Sequence, residues 1–407
     1  MSESSPSRGG GARGLEMAEK KRLRVGVLFG GRSGEHEISL RSALTVMSAM
    51  DPKRYEIVPI GIGRDGRWYL EHDALKVLAE KTPHLAALTS GGTQVTLLPH
   101  PDSHSLVSTP SDGARSDVTT DDDRNAIRGA LDVVFPVLHG TYGEDGTVQG
   151  LLELAGIAYV GAGVLGSALG MDKDAQKRLL RDAGVAVVRY FSIDRTDYRA
   201  SSASATRLAG KLGYPVFVKP NALGSSIGIS KVKRAADLKA ALDDAFQYDR
   251  KALIEASCEG REFECAVLGN DHPEASIPGE VVVKGGHEFY SYESKYVDPD
   301  GSSTKIPAEM PAATAKTLRA MAVAAFKALS IRGMARVDFL ASRDLKEIYV
   351  NEVNTIPGFT SISMYPKLWE ASGLKLPALI DRLIELALEE SRERASLKIT
   401  YQPKATS

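Results

Sequence analysis

Only two cysteines occur among the 407 residues, Cys258 and Cys265, and neither has a His or Cys neighbour at metal-ligand spacing. A disulfide-built scaffold and a zinc module are therefore excluded, and a reduced, cytoplasmic protein is the simplest expectation. An excess of one charge is also missing. Lys+Arg total 51 against Asp+Glu 52, which leaves no basic field and argues against nucleic acid as a partner. No apolar run approaches the length of a membrane span, and the N-terminus lacks the apolar core of a signal peptide. A membrane partner is not expected.

What is present is ordinary in bulk. At 43% hydrophobic and 25% charged, the composition is that of a soluble globular protein, long enough for two or three cores. Residues 1–21, rich in Ser, Gly and Arg, read as a disordered tail in which Met17 is a second candidate start. Leu23 to Phe29 is an apolar strand ending in Gly30-Gly31-Arg32-Ser33-Gly34, and Ile38 to Met50 then has helical spacing. Glu56 to Ile62 and Leu131 to Leu138 are further strands, separated by a polar insertion over 100–128 expected to be a loop. This order predicts an open parallel α/β sheet up to about residue 161. Helix, strand and helix follow over 171–212, then short strands at Tyr214 to Lys219 and Ala252 to Glu255. Residues 366–395 read as helical, and no internal repeat is visible.

The densest chemistry lies near the C-terminus, where Arg336-Val337-Asp338 is followed by Glu352-Val353-Asn354. Met334 to Leu340 and Ile348 to Val353 are β-prone, with polar Ser342-Arg343-Asp344 between them, the pattern of an antiparallel hairpin. Side chains two apart on a strand share a face, so Arg336 goes with Asp338 and Glu352 with Asn354. A pivot near Leu345 sets Asp338 opposite Glu352 and Arg336 opposite Asn354. Carboxylates and amide oxygens are hard ligands that suit Mg²⁺ held jointly with phosphates, and Arg336 would grip an anion beside it. The plain alternative is a cross-strand salt bridge. Three acidic or amide groups in otherwise apolar strands would be costly to hold without a cation, which favours a metal–phosphate site.

Three other segments carry candidate chemistry. Lys219 to Lys231 couples an apolar strand, through the small-residue loop Gly224-Ser225-Ser226-Ile227-Gly228, to another strand. Gly and Ser let backbone N–H groups approach an anion, and two lysines flank the loop. No Gly-Lys-Ser/Thr follows, so this is a plain turn or a phosphate lid, and the downstream metal site favours the lid. Glu35, in the first glycine loop, either holds an ammonium group or serves as a charge at a helix N-terminus. His139 ends a strand in a glycine-rich loop that offers no core, which favours a functional role. A fourth segment, Gly161-Ala162-Gly163-Val164-Leu165-Gly166, matches a dinucleotide fingerprint with Asp182 downstream. It falls at a domain junction and is read as a structural turn.

Together these segments resemble the D-alanine–D-alanine ligases of the ATP-grasp superfamily. The likeness runs in consistent order from about residue 23 to 390. It takes in the loop with Glu35 and Ser39 to Ala43, His139 to Thr147, Gly170 to Lys173, and the Lys219 to Lys231 hairpin. It continues through Glu293 to Tyr296, Gly333 to Asp338, and Asn351 to Ser361. The tail and the 100–128 insertion depart from the pattern and touch no motif.

The resemblance implies an ATP-grasp fold of α/β and α+β type. An N-terminal open parallel α/β domain would span 22–161, a central lid domain 162–257 and a catalytic domain 258–395, with a tail over 396–407. It implies a homodimeric enzyme that joins two D-alanine molecules through an acyl phosphate for peptidoglycan precursors, with ATP and two Mg²⁺ (or Mn²⁺). The rival within the superfamily is a D-alanine–D-lactate ligase, although the Lys295-Tyr296 pair resembles the dipeptide-forming branch. By resemblance, Lys173 and Lys219 face the nucleotide phosphates under the Gly224, Ser225, Ser226 and Gly228 lid. Glu255 and the backbone of Ala256 and Cys258 would meet adenine, and Glu262 the ribose. Asp338 and Glu352 would hold one metal ion, Glu352 and Asn354 the other. Arg336 with the Gly358 N–H would stabilise the oxyanion. Glu35 would hold the first ammonium with His139 nearby, and Ser225 and Tyr296 would close the site. Lys295, also expected near ATP, would meet the second carboxylate together with Ser363 and the Met364 backbone.

Overall fold

A computed structural model of the chain describes residues 21–70, 93–101, 104–109, 130–284 and 301–401. The first sheet has seven strands: β1 (Leu23–Gly30), β2 (Tyr55–Ile62), β3 (Trp68–Leu70), β4 (Thr93–Leu97), β5 (Leu106–Ser108), β6 (Val133–Pro136) and β7 (Ala158–Tyr159). Their order is β5-β4-β3-β2-β1-β6-β7. β1 pairs in parallel with β2 and β6, and β6 with β7. Val25, Val27, Phe29, Val133 and Phe135 are wholly buried, as strands covered on both faces require. Beyond β2 the sheet continues as an antiparallel meander, so the expected parallel core gains a mixed edge. β5 lies within the stretch expected to be a loop. Residues 102–103 and 110–128 of that stretch, and 1–20 of the expected tail, lie outside the described residues.

Helix α1 (His36–Ala49) follows β1 and buries Leu40, Ala43, Val46 and Met47 at helical spacing. Helix α2 (Thr147–Leu154) precedes β7, and α3 (Val164–Met171) and α4 (Lys173–Asp182) follow it. The Gly161 to Gly166 segment is the β7–α3 junction, and its glycines serve packing. A Cβ on Gly166 would lie 3.1 Å from the Ser330 carbonyl oxygen, and one on Gly333 would lie 3.2 Å from the Gly161 backbone.

The second sheet is antiparallel, in the order β10-β9-β11-β8. It is built from β8 (Tyr190–Asp194), β9 (Val216–Pro220), β10 (Ser230–Val232) and β11 (Lys251–Ala256). Helices α5 (Arg195–Ala200), α6 (Ser202–Leu212) and α7 (Leu238–Tyr248) share its core through Tyr198, Ala205, Ala209, Leu242 and Ala245.

The third sheet runs β15-β14-β12-β16-β17, with β13 beside β12. Its strands are β12 (Gly260–Gly269), β13 (Glu274–Ala275), β14 (Gly279–Val283), β15 (Ser302–Lys305), β16 (Gly333–Ser342) and β17 (Ile348–Asn354). On one face Phe263, Val267, Ala335, Val337 and Phe339 pack against helix α8 (Ala312–Ala328). Ala162, Leu180 and Val185 join that core, so the segment around α4 packs with the third sheet rather than the second. The C-terminal helical stretch is two helices, α9 (Met364–Ala371) and α10 (Leu376–Ser396), broken at Gly373 with φ +98°. Tyr365, Leu368, Leu379, Ile380 and Leu383 from these helices share one core with Val25, Phe29, Met47, Met334 and Ile356. That core ties the first glycine loop to the β16–β17 hairpin and fixes the cleft between them.

Candidate active site

Alternation along β16 decides what its second face carries. Ala335, Val337 and Phe339 are committed to the core under α8, so Arg336 and Asp338 point to the opposite side. Asp338 pairs with Glu352 and Arg336 with Asn354, the register anticipated from the sequence, and the turn includes Leu345 at φ 59°. A bulge between Asp338 and Phe339 shifts the rest of the ladder by one residue. On the other flank, Glu264 of β12 is opposite Asp338. Glu264, Asp338 and Glu352 therefore form one row across three strands.

The plain salt-bridge reading of this hairpin is present in the geometry. Arg336 Nε and Nη2 donate to the two Asp338 oxygens at 2.7 Å each, and Nε lies 3.0 Å from Glu264 Oε2. Asn354 Nδ2 donates to Asp338 Oδ2 at 3.0 Å, and Lys173 Nζ is 3.7 Å from Glu352 Oε2. The donor set nonetheless fits a hard divalent cation. Asp338 and Glu352 keep 14% and 26% of their side chains exposed, so both remain reachable. Among the described residues no group of three His, Cys, Asp or Glu side chains is set to hold a metal by itself. Two carboxylates and an amide are what a cation needs when phosphate and water oxygens complete its shell.

A cationic cluster adjoins this acidic face. Lys219 Nζ is 2.7 Å from Glu255 Oε2, and Lys177 Nζ is 3.1 Å from Glu255 Oε1. Asn351, next to Glu352, accepts from both lysines: its carbonyl from Lys177 at 3.0 Å, its side-chain oxygen from Lys219 at 3.2 Å. Burial alone would raise the Glu255 carboxyl, but the two ammonium groups pull it down to about 2. Burial pushes Lys177 down, whereas Lys219, despite its burial, is held up by Glu255 and Glu352. Lys177 was not anticipated. Its signal in the sequence is the four-residue spacing from Lys173, which puts both on one face of α4. The expected adenine contact of Glu255 has to be shared, because its carboxylate is held by two lysines. Past it, Ala256 N donates to Arg189 O at 2.8 Å and the chain crosses to the third sheet through Cys258, where burial pushes the thiol up. Glu262 shares the face of Glu264, two residues earlier on β12.

The Gly224 to Gly228 loop is docked. Ser225 Oγ donates to the Glu35 carboxylate, and Ser225 and Ser226 both adopt positive φ, 54° and 57°. Its ends are seated on the α7–β11 turn. Ala222 N donates to Asp249 Oδ2 at 2.7 Å, and a Cβ on Gly228 would lie 2.7 Å from the Tyr248 ring. Gly224 passes so near Glu35 that a Cβ would sit 3.2 Å from Oε2. Glu35 occupies the N-cap position of α1 without a side-chain cap bond, so its carboxylate meets the Ser225 loop and not the helix end. Lys173 Nζ reaches the same loop, donating to Leu223 O at 2.7 Å.

His139 is buried, contrary to the expectation that nothing around it provides a core. Its Nδ1 is 3.1 Å from Ile356 O and its Nε2 is 3.4 Å from Ser42 Oγ. Burial lowers its pKa, which favours the neutral ring. Ser42 also accepts from Phe359 N at 3.2 Å, tying α1 to the segment after β17. Nearby Glu144 accepts from Gly140 N at 2.8 Å, and burial together with the facing Glu35 pushes its carboxyl up to about 8. A Cβ on Gly358 would lie 2.8 Å from Ser363 Oγ, so a side chain there would displace the Ser363 hydroxyl. Ser363 occupies the N-cap position of α9 without a side-chain cap bond, its hydroxyl instead accepting from Thr360 N at 3.0 Å, and Met364 begins the helix. Lys295 and Tyr296 lie outside the described residues.

The family models described as D-ala D-ala ligase N-terminus and C-terminus match residues 24–162 and 179–385. D-alanine--D-alanine ligase A of Chromobacterium violaceum is 46% identical over 381 residues, covering 94% of this chain and 99% of that one. Its counterpart in Escherichia coli K12 is 43% identical, covering 93% and 100%. The solved D-alanine-D-alanine ligase from Coxiella burnetii superposes with TM-score 0.77 at 38% identity, covering 92% and 96%. The VanG D-Ala:D-Ser ligase from Enterococcus faecalis superposes with TM-score 0.75 at 35% identity, covering 90% and 100%. The chain belongs to the D-alanine–D-alanine ligase family, with its ATP-grasp fold.

Proposed function

We propose a division of labour for the reaction that family membership sets: the chain is an enzyme that uses ATP to join two D-alanine molecules as D-alanyl-D-alanine. The observation that carries the assignment of roles is the junction of a lysine cluster with an acidic sheet face in one cleft. Phosphates suit the first and divalent cations the second. Mg²⁺ or Mn²⁺ held by Asp338, Glu352 and Asn354 would neutralise phosphate charge and align the transferred group. Lys173 and Lys219 hold the phosphates from the opposite side, and the Gly224 to Gly228 loop, with Ser225 and Ser226, covers them. Glu255, the backbone of Ala256 and Cys258, and Glu262 take the adenosine end.

Glu35 receives the ammonium of the first D-alanine and so orients its carboxylate. A carboxylate oxygen attacks the γ-phosphorus, the bond to ADP breaks, and an acyl phosphate forms. The second D-alanine enters with its carboxylate met by Lys295, Ser363 and the Met364 backbone at the N-terminus of α9. Its neutral amine attacks the acyl carbon while Arg336 and the Gly358 N–H receive the oxyanion charge. The C–O bond to phosphate then breaks, and phosphate and one proton leave. Ser225 and Tyr296 hold the lid shut, which keeps water from the acyl phosphate. Neutral His139 steadies the Ile356 segment that leads to Gly358. The three sheets act as substrate, lid and catalytic domains, and the working assembly is a cytoplasmic homodimer.

Phosphate release from ATP, measured with D-alanine alone and with D-serine or D-lactate as competitor, tests this reading when the products are identified. D-alanyl-D-alanine is the expected main product. A mixed dipeptide or a depsipeptide as the main product would overturn it.

A further inference from the structure

Glu264 has no part in the roles assigned above, yet it stands directly opposite Asp338, which in turn is opposite Glu352. Like charges facing one another across a ladder are destabilising. Glu264 is only 4% exposed, so water does little to relieve that repulsion. Arg336 relieves it, with Nε 3.0 Å from Glu264 Oε2 and 2.7 Å from Asp338 Oδ1. The residue opposite Arg336 on β12 is Ala266, small enough to let the guanidinium lie across the strand toward Glu264. Arg336 therefore has two anchors, and they are not equivalent: the single Nε hydrogen goes to Asp338, and Glu264 Oε2 holds the same edge as an ion pair, placed to accept that hydrogen when Asp338 releases it. Asp338 is also wanted by a divalent cation, whereas Glu264 has no such competing demand in the proposed reaction.

We propose that Glu264 is a positioning residue for the ligation: it pins the Nε edge of Arg336, so the guanidinium keeps its aim when Asp338 turns to a cation. The inference rests on the roles given to Arg336 and Asp338 above. A guanidinium is a rigid planar fork, so fixing one edge fixes the direction of its remaining donors. Those donors act on charge that develops during reaction. Loss of Glu264 should therefore appear in turnover more than in nucleotide binding.

Glu264→Gln keeps the shape and removes the charge. Its kcat should fall about ten- to thirtyfold, with the KM for ATP changed less than about twofold. Calorimetry should show MgATP binding at parental affinity, while a phosphinate mimic of the tetrahedral adduct binds weaker by the factor lost in kcat. Glu264→Asp should recover part of both losses. A merely structural role would instead weaken MgATP and the mimic together and lower Tm, and that pattern would overturn the proposal, as would parental kcat in E264Q. If E264Q does not fold, E264D carries the test: lowered kcat at unchanged MgATP affinity supports the role, and parental kcat removes it. Arg336→Lys separates the two levels. Parental turnover in R336K removes the reading of Arg336 itself, whereas a slow R336K beside a normal E264Q removes only the role of Glu264.

Discussion

Glu255 and Asp338 are both carboxylates paired with basic side chains in the same cleft, but one pair is sealed and the other open. Lys177 and Glu255 keep 1% and 2% of their side chains exposed, against 19% and 14% for Arg336 and Asp338. Each Glu255 oxygen faces one ammonium group, so two lysines share one carboxylate and the cluster has cation to spare. In the open row, Glu264 and Asp338 share the Arg336 guanidinium and Glu352 meets Lys173 only at 3.7 Å, so that row leans to the anionic side. Burial decides which pair is architecture. The sign of the surplus decides which part of a metal–nucleotide complex each cluster can receive, with Lys173 spanning the boundary 3.7 Å from Glu352.

The comparison breaks most visibly if the sealed cluster is opened. Glu255→Ala would leave two buried ammonium groups without their counter-ion, a change expected to remove about 3–5 kcal/mol of stability. Urea denaturation checks this, and a loss below about 1 kcal/mol would mean that water already reaches the lysines. The open cluster should behave the other way. Glu352→Gln should reduce transition-state stabilisation by more than about 2 kcal/mol and leave global stability within about 0.5 kcal/mol. Near-parental turnover at saturating Mg²⁺ would remove the metal assignment.

A third test uses protons in place of mutations at the two clusters. Burial and the Glu35 charge raise the Glu144 carboxyl from 4.5 to about 8. Between those values the unfolded chain has released a proton that the folded chain retains, so stability falls as pH rises through the window and levels off above it. Glu144→Gln removes that slope. Its Tm should gain on the parent steadily from pH 4.5 to 8, by the equivalent of roughly 1–2 kcal/mol, reduced from the full shift because part of the side chain still reaches solvent. Parallel Tm curves across that range would show that Glu144 is ordinarily solvated.

What could be read from the sequence was local, and what could not was distant. The β16–β17 register followed from period-two alternation and a polar turn, both contained in about twenty consecutive residues. The bulge after Asp338 left no mark in the sequence, but it falls outside the Asp338–Glu352 and Arg336–Asn354 pairs and did not disturb them. His139 was misjudged as lacking a core because its partner Ile356 lies 217 residues away. Lys177 and Glu264 escaped for a related reason. Each looks like a solvated position on an amphipathic element, and only the fold brings Glu255 to one and Arg336 to the other. Glycine was equally ambiguous: in Gly161 to Gly166 it permits close packing of chain segments, whereas in Gly224 to Gly228 it lets a loop pass close to Glu35 and Tyr248.

The smallest expected effect concerns the Gly224 to Gly228 loop, where the ends and the tip are held differently. Its ends rest on the Asp249 carboxylate and the Tyr248 ring, while the tip is tied to the first glycine loop by the Ser225–Glu35 hydrogen bond. A loop with so few packed side chains should open locally at little cost, and the tip should open before the ends. Ser225→Ala removes one hydrogen bond to a charged group, worth roughly 1.5–3 kcal/mol at most and less where water can replace it. Amide exchange at residues 223–227 should then quicken by about three- to tenfold while the β10 amides of Ser230–Val232 keep their rates. MgATP affinity should stay close to parental, because Lys173 and Lys219 are untouched. In the unsubstituted protein, adding MgATP and D-alanine should slow exchange over the same tip. Equal protection with and without ligands, and no response to S225A, would mark the loop as a fixed hairpin and remove its role as a lid.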